Sequence, residues 1–491
     1  MKAMKIIITS ILSAILLIFA GCEKDFLETQ PSDQLAGEQL FQTYDGALTV
    51  LDGTYRLMYS WKDNHNEFNE KALHINADLK GEDMEIWSEG YGWFTDQYAY
   101  EDIDATQRFT EFIWDYTYDL VNNANRILAK IDDVEATEKE YNYIKGQALA
   151  LRAHAFFNLV RHYQHTYKGN EDAPGIPVYT EPTTQGKSRA TVQEVYTQIE
   201  DDLSKAISIL DPSNCLTRGE AGRNKSHINQ DVAEGIMARV KLNMEKWGEA
   251  ASYAADAVEN YELYTPEEYT SDAFNSVDAK EWMWGSQVNK EQQTTYASFF
   301  SHMDPTFMSY AALGLMKQIT DTLYKQIPAD DVRKNMWMDA TTPADVPYGM
   351  IPERSQMKFL SSNPSSFLGD YLYMRASEMY LIQAEAFAEA ENYSDAQTVL
   401  NTLVSKRQPG YSTSLTGQDL LEEIYFQRRI ELWGEGFRWF DIKRRKEPVE
   451  RIGHDLSLAK YETIPAESDL MIYQIPEEEM DANDQLTNQN P

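Results

Sequence analysis

Trp87, Tyr91, Trp93, Phe94, Tyr98 and Tyr100 crowd one short stretch of the chain, with Asn64, Asn66, Asp96, Gln97 and Glu101 close by. A second crowd, Tyr296, Phe299, Phe300, Phe307 and Tyr310, follows Asn289, Gln292 and Gln293. Flat rings beside amides and carboxylates suit recognition of a sugar. Its ring presents axial C–H groups on the faces and hydroxyls round the rim, so stacking and edge hydrogen bonds hold it without any reaction. The candidate ligand-binding residues are therefore Asn66, Trp87, Tyr91, Trp93, Tyr98, Tyr100, Asn289, Gln292, Tyr296, Phe299 and Phe300. The competing reading is that such rings fill space beneath long loops. Trp282 and Trp284 alternate about Met283 in a strand-like stretch, which assigns Trp284 to the core. An aromatic contact contributes roughly 0.5–1.5 kcal/mol beyond burial. A few stacks with a few hydrogen bonds then predict dissociation constants from about 1 mM to about 1 μM.

Catalytic chemistry finds less support. Glycoside hydrolysis needs two carboxylates about 5–9.5 Å apart, and with 79 acidic residues neighbours such as Glu82/Asp83 or Asp102/Asp104 arise by chance. His154, His162 and His165 fall on a helical stretch where His162 and His165 share a face. No third ligand accompanies them, so a packed or solvated role is expected rather than a metal site. Neither a Gly-rich phosphate loop nor a serine elbow of the usual form is present. Cys215, in the run Asp211-Pro212-Ser213-Asn214-Cys215, reads as an incidental loop residue. The chain is expected to be no enzyme and to use no cofactor and no metal.

The elements that must position these loops are mostly α-helices, because apolar residues recur at three- and four-residue spacing over long windows. Trp114, Tyr118, Val121, Asn125, Leu128 and Ile131 form one face. Ile144, Ala148, Leu151, Ala155, Phe156 and Leu159 form another, and the two predict an antiparallel pair. Further helices are expected over about Val192–Leu210, Asn229–Glu245 and Gly248–Asn260. Tyr380, Ala384, Phe387, Tyr393, Ala396 and Leu400 match the template of a tetratricopeptide helix pair, and Ala238, Trp247, Ala250 and Ala257 repeat part of it. Lys241 and Leu403 depart from that template. Small residues recur where helices cross closely, and such pairs bury their faces only by stacking. Asn66–Arg108 and Tyr264–Pro364, rich in Gly, Pro, Asn and Ser, read instead as long loops with short strands or helices.

The start of the chain is an address. Lys2 and Lys5 precede an apolar run from Ile6 to Ala20, then Gly21-Cys22, the order of a bacterial lipoprotein signal peptide too short to span a bilayer. Cleavage would leave a lipidated Cys22 as the first residue, and an uncleaved anchor is the alternative. Lipidation removes Cys22 from disulfide chemistry, so Cys215 has no partner. The whole chain carries 44 Lys+Arg against 79 Asp+Glu, a formal net charge of −35. So acidic a balance, spread along the sequence, argues against nucleic acid and anionic lipid surfaces as partners.

The chain is similar to the SusD/RagB family of outer-membrane nutrient-binding lipoproteins over nearly its whole length. The opening Cys22-Glu23-Lys24-Asp25-Phe26-Leu27-Glu28, with Pro31, Asp33, Phe41, Ala47, Gly53 and Tyr55, carries the resemblance. So does Arg375-Ala376-Ser377-Glu378-Met379-Tyr380-Leu381, followed by Ala384-Glu385-Ala386. The strongest match is the run from Arg428 to Arg444, Arg-Arg-Ile-Glu-Leu-Trp-Gly-Glu-Gly-Phe-Arg-Trp-Phe-Asp-Ile-Lys-Arg, and the ending with Ile475-Pro476, Asn483, Leu486 and Gln489-Asn490-Pro491 agrees. Gln427 stands where an acidic residue is common. If the helix persists through the signature run, Arg428, Glu431, Glu435 and Arg438 form an ion ladder on one face. Gly434 and Gly436 suggest a break or a close backbone approach.

The resemblance implies a mostly α, tetratricopeptide-like scaffold carrying long aromatic loops. It also implies capture of an oligo- or polysaccharide at the cell exterior, with a SusC-like TonB-dependent transporter as partner and a lipid anchor, such as palmitate, in the outer membrane. Peptide cargo is the family's exception. Residues 1–21 are read as the leader, 22–40 as a tether and 41–491 as one body. The body divides into a helical part to about 263, a variable loop region to about 364 and a C-terminal repeat with the signature.

Overall fold

The computed structural model describes residues 40–271, 273–340 and 350–491. The leader and Cys22 lie outside the described residues, as does the tether up to residue 39. The principal helices are α1 (Tyr44–Leu57), α2 (Glu70–Leu79), α3 (Arg108–Lys130), α4 (Glu138–Tyr163), α5 (Val192–Ile209), α6 (Gln230–Asn243), α7 (Trp247–Val258), α8 (Ala376–Glu389), α9 (Tyr393–Val404), α10 (Gly417–Glu431) and α11 (Arg438–Arg444). Their starts follow from local chemistry. Thr43 caps α1 by accepting from the Gly46 N–H. Thr137 with Glu140 and Thr191 with Glu194 close reciprocal capping boxes at α4 and α5, meeting N–H groups that a first turn leaves unpaired.

Each helix packs on the next: α3 on α4, α4 on α5, α5 on α6, α6 on α7, α7 on α8, and α8 on both α9 and α10. This is the stacked helix-pair architecture that the periodicity predicts. The small residues sit at the crossings. Ala238, Ala250, Ala254, Ala257, Ala384 and Ala396 are fully buried, and a Cβ on Gly146 of α4 would stand 2.5 Å from Leu210 Cγ. Helix α4 is buried on nearly every side, which only a helix in the middle of a stack can be. One apolar core runs from Phe41 to Leu486, with a satellite around Leu381, Leu400 and Leu432.

Few strands occur. β1 (Met84–Ile86) pairs antiparallel with β3 (Lys317–Ile319), Met84 opposite Ile319. β2 (Trp282–Ser286) pairs antiparallel with β4 (Tyr371–Arg375) through shifted register. Trp282 and Trp284 are both fully buried.

The stretch Asn66–Arg108, read as loop with short strands or helices, holds the ten-residue α2, the strand β1 and a short helix at Thr95–Ala99. The periodicity of α2 is masked by the buried polar residues Glu70, Lys71, Asn76 and Asp78; Glu70 accepts from Tyr116 and Asn158 and lies 2.9 Å from His154. The signature run breaks at its glycines, as they suggest. α10 ends at Glu431, Gly434 and Gly436 take φ of 79° and 88°, and α11 starts afresh at Arg438.

The break changes what the charges do. Glu431 and Glu435 turn inward to meet Arg333, Arg375, Arg407 and Lys358, with Glu281 as a further shared acceptor. Arg428 pairs with Asp441 at 2.7 Å, and Arg438 with Glu82. Burial disfavours the charged form of Glu435, yet Arg375 and Lys358 more than offset it and hold the carboxyl at about 2.

Candidate ligand-binding site

The β1–β3 ladder is what brings the two aromatic stretches together. It continues past the strands, with Trp87 N–H donating to Met316 O at 2.9 Å and Ser88 Oγ to Gly314 O at 2.5 Å. A Cβ on Gly314 would lie 3.3 Å from Gly90 Cα, so the two turns touch through glycine. The residues after β1 are thereby laid beside those before β3.

Tyr310 is the meeting point. Its ring lies 5.5 Å from Tyr91, 5.9 Å from Trp93, 5.3 Å from Tyr296 and 5.2 Å from His302. Its hydroxyl is 2.6 Å from His65 Nδ1. His65 stacks on Trp93 and meets the edge of Trp61, each at 5.7 Å. On the other side Tyr296 meets Phe367 at 5.0 Å, and Phe367 meets Phe307 at 4.9 Å. Exposure separates the platform from its support. Tyr91 is 64% exposed, Trp87 51% and Trp61 43%, against 9% for Tyr310.

Beside these rings opens a cavity of about 230 Å³ whose lining includes Asn64, Asn66, Tyr91, Trp93, Gln107 and Arg108. Arg108 donates to Asp63, Glu67 and Glu111. Glu67 also accepts from Asn64 and from the N–H groups of Asp63 and Asn64. Burial would raise its pKa, but Arg108 and Asn64 hold it below the usual carboxylate range. A carboxylate so engaged orders the loop and is a poor general acid. The cavity thus offers amide and guanidinium edges next to ring faces, the pairing that sugar recognition needs.

Of the residues that the sequence points to, Asn66, Tyr91, Trp93 and Tyr296 fall at this cluster or its cavity, and Trp87 stands exposed at the end of β1. Asn289 is exposed and Gln292 half-buried on the loop leading to Tyr296, where the Asn289 side chain accepts from the Gln292 N–H. Four others are core residues and are corrected. Tyr98 is 2.6 Å from His454 Nδ1, and Tyr100 donates to Lys80 O, so both pin their loop from beneath. Phe299 packs edge-on to Phe359 and Tyr371, with Lys71 Nζ 4.3 Å above it. Phe300 fills the space left by the missing side chain of Gly369, whose Cβ would be 2.3 Å away. Phe94 and Tyr100, at φ of 67° and 60°, bound the short helix Thr95–Ala99 in left-handed backbone.

Trp61, His65 and Phe367 belong to the cluster but are not among the residues singled out from sequence. Trp61 and His65 precede the crowded stretch, and an aromatic beside Asn64 and Asn66 is the one signal that could have found them. The suspected carboxylate pairs are engaged elsewhere. Glu82 and Asp83 bind Arg429 and Arg438, and Asp102 binds Lys80 at 2.6 Å. His162 is buried with its pKa pushed down to about 3, and His165 is pushed down to about 4. Burial pushes the Cys215 thiol up to about 12, which leaves no thiolate for attack. Among the described residues no group of three or more His, Cys, Asp or Glu is arranged to hold a metal.

A profile described as the SusD family matches residues 229–491, and one described as "Starch-binding associating with outer membrane" matches residues 25–242. The chain belongs to the SusD family. A crystal structure of a SusD-like carbohydrate binding protein from Bacteroides vulgatus is 30% identical, covers 91% of this chain and 98% of its own, and superposes with a TM-score of 0.81. SusD-like protein P2 of Formosa agariphila is 23% identical over 97% of this chain and 98% of its own. A laminarin-binding SusD-like protein shares the fold at a TM-score of 0.68 and 21% identity, covering 92% of this chain and 99% of its own. The SusD-type scaffold accounts for the buried signature. Its charges tie α10, α11 and β4 into one body behind the loops.

Proposed function

We propose that this protein is a glycan-binding lipoprotein of the outer membrane, lipid-anchored through Cys22 and facing the cell exterior. It captures an oligo- or polysaccharide and passes it to a SusC-like TonB-dependent transporter, over which it closes as a lid. The observation that carries the binding role is Tyr310, which gathers Tyr91, Trp93, Tyr296 and His65 into one cluster beside a cavity edged by Asn64, Asn66 and Arg108. The carbohydrate binding named for the 30% identical Bacteroides vulgatus protein supports the same reading. Among the described residues no helix is long and apolar enough to cross a membrane.

Binding without turnover fits the site. Its two buried carboxylates, Glu67 and Asp102, are paired with Arg108 and Lys80, and a carrier that must release its cargo is served by stacking contacts of modest strength. Isothermal calorimetry of the purified protein against neutral polysaccharides, their oligosaccharides and peptides tests the proposal. Saturable heat with a glycan, lost in Trp93→Ala, is the expected result. Heat with peptides alone, or release of reducing ends from a bound glycan, overturns it.

A further inference from the structure

A larger cavity, about 350 Å³, lies farther along α3. Its lining includes Trp114 and Tyr118 of α3, Tyr179 and Gln185 of the loop that crosses α3, and Glu479 near the C-terminus. Tyr118 and Tyr179 meet edge-on at 5.7 Å. Both are fixed from outside the cavity: Tyr118 donates to Pro177 O, and Tyr179 accepts from the Lys187 N–H. Ring faces edged by exposed amide, hydroxyl and carboxylate groups repeat the chemistry of the Tyr310 cluster.

Both cavities draw lining residues from α3, and the segment 62–67 is tied to α3 beside each of them. Lys62 reaches Asp115 at 3.0 Å and Asp119 at 3.6 Å, and both carboxylates line the larger cavity. Arg108, which lines the smaller one, holds Asp63 at 2.5 Å and Glu67 at 3.0 Å. Trp61 is 43% exposed and leans on His65 of the Tyr310 cluster. The solvent-facing stripe of α3 from Arg108 to Asn122 covers about 21 Å at about 1.5 Å per residue, more than a disaccharide spans.

We propose that the Trp114–Tyr118–Tyr179 cavity is a second carbohydrate subsite on the same helix as the first, so that the protein holds a chain of several sugar units. This rests on the glycan-capture reading above. The charge of the second cavity narrows the class of glycan. Asp115, Asp119, Glu181 and Glu479 line it, and no lysine or arginine does among the described residues. Lys62 pairs with Asp115 and Asp119, and a uronate or sulfate ester placed there would still meet the like charge of Glu181 and Glu479, so the chain is a neutral one.

The test compares the wild type with Tyr179→Ala, Thr184→Arg and Trp93→Ala. Thr184→Arg adds bulk at an exposed lining residue and removes no packed ring, so it remains informative if Tyr179→Ala folds poorly. Calorimetry would use disaccharides and hexasaccharides of starch, laminarin, xylan and mannan, with alginate oligomers as the acidic probe. The expected result is that both second-cavity variants weaken hexasaccharide binding about 5-fold and leave disaccharide binding unchanged, while Trp93→Ala removes both. Equal hexasaccharide affinity in the wild type and both second-cavity variants overturns the subsite but leaves glycan capture standing. Alginate binding as tight as the best neutral chain overturns the charge argument. Silence of the wild type on every glycan removes the capture reading and the subsite with it.

Discussion

The hydroxyl of Tyr310 and Nδ1 of His65 lie 2.6 Å apart, joining residues from opposite halves of the loop architecture. The imidazole tautomer sets which of them donates. The bond fixes the Tyr310 ring against Tyr91, Trp93 and Tyr296, and so fixes the shape of the platform.

Tyr310→Phe keeps those ring contacts and loses the bond. A net hydrogen bond contributes about 0.5–1.5 kcal/mol, so glycan affinity is expected to fall by about 2- to 10-fold with the fold intact. Tyr310→Ala removes the hub itself and is expected to abolish measurable binding. Calorimetry with matched circular dichroism separates these outcomes. Unchanged affinity in Tyr310→Ala would detach the cluster from ligand binding.

Trp61 offers a cleaner test of the platform because it is exposed and meets His65 in a T-shaped contact. Trp61→Ala is expected to leave the denaturation midpoint within about 0.5 kcal/mol of wild type, as surface substitutions do. Its affinity for a hexasaccharide should fall about 3- to 10-fold. A stability loss without an affinity loss would make Trp61 a packing residue.

The scaffold was legible in the sequence where a helix buries one face. The periodic apolar positions of α3 to α9 and the alanines of their crossings read directly. The site was half legible for a different reason. Composition marks where rings gather, but which rings face solvent depends on contacts far away in sequence. Tyr98 is turned inward by His454, and Phe299 is covered by Phe359 and Tyr371. The pairing of β1 with β3, three residues each, is too short to leave a pattern, and yet with the His65–Tyr310 and His65–His302 contacts it unites the two stretches. The ion ladder required an unbroken helix, and the glycines that suggest a break end α10 and send Glu435 inward.

That inward turn predicts a sensitivity to acid. Burial opposes ionisation of Glu435, and Arg375 with Lys358 more than offsets it, so the carboxyl sits at about 2 in the folded protein against an ordinary 4.5. A depressed carboxyl contributes stability that is complete above about pH 4.5 and is lost as the pH falls toward about 2, because the unfolded chain takes up the proton first. The contribution is on the order of 3 kcal/mol. Glu431, held well below its usual range by Arg407, Arg375 and Arg333 against the opposing effect of burial, adds in the same direction. Urea midpoints measured between about pH 6 and pH 3 should fall steeply in the wild type. The fall should be shallower in Glu435→Gln, which has no such proton to bind. Parallel curves would rule out this carboxylate as the source.

Arg375 donates to Glu281, Glu431 and Glu435 and is fully buried. Arg375→Met leaves those carboxylates short of a partner in a site closed to water, which costs about 3–5 kcal/mol for a buried pair broken on one side. The expected result is a protein that unfolds at much lower urea concentration. Because β4 carries Arg375 and pairs with β2, the indole fluorescence of Trp282 and Trp284 should report the loss. A shift below about 1 kcal/mol would mean that Arg407 and Lys358 suffice to neutralise the acids.

Gly436 is where the backbone geometry of the signature is decided. Its φ is 88°, and a Cβ there would stand 2.7 Å from His74 Cα and equally close to His74 Cγ. Both atoms belong to α2, which cannot retreat without disturbing Asp78, whose carboxylate accepts the Gly436 and Arg438 N–H groups. Gly436→Ala therefore combines a left-handed backbone penalty of about 1–2 kcal/mol with overpacking of about 1–3 kcal/mol. Gly53, on the exposed face of α1, meets nothing within 4 Å of its would-be Cβ. Gly53→Ala should gain about 0.5–1 kcal/mol from helix propensity. Urea denaturation of the two variants should thus move in opposite directions. Equal behaviour would mean that α2 yields to the added methyl, and that the glycine marks a turn rather than a contact.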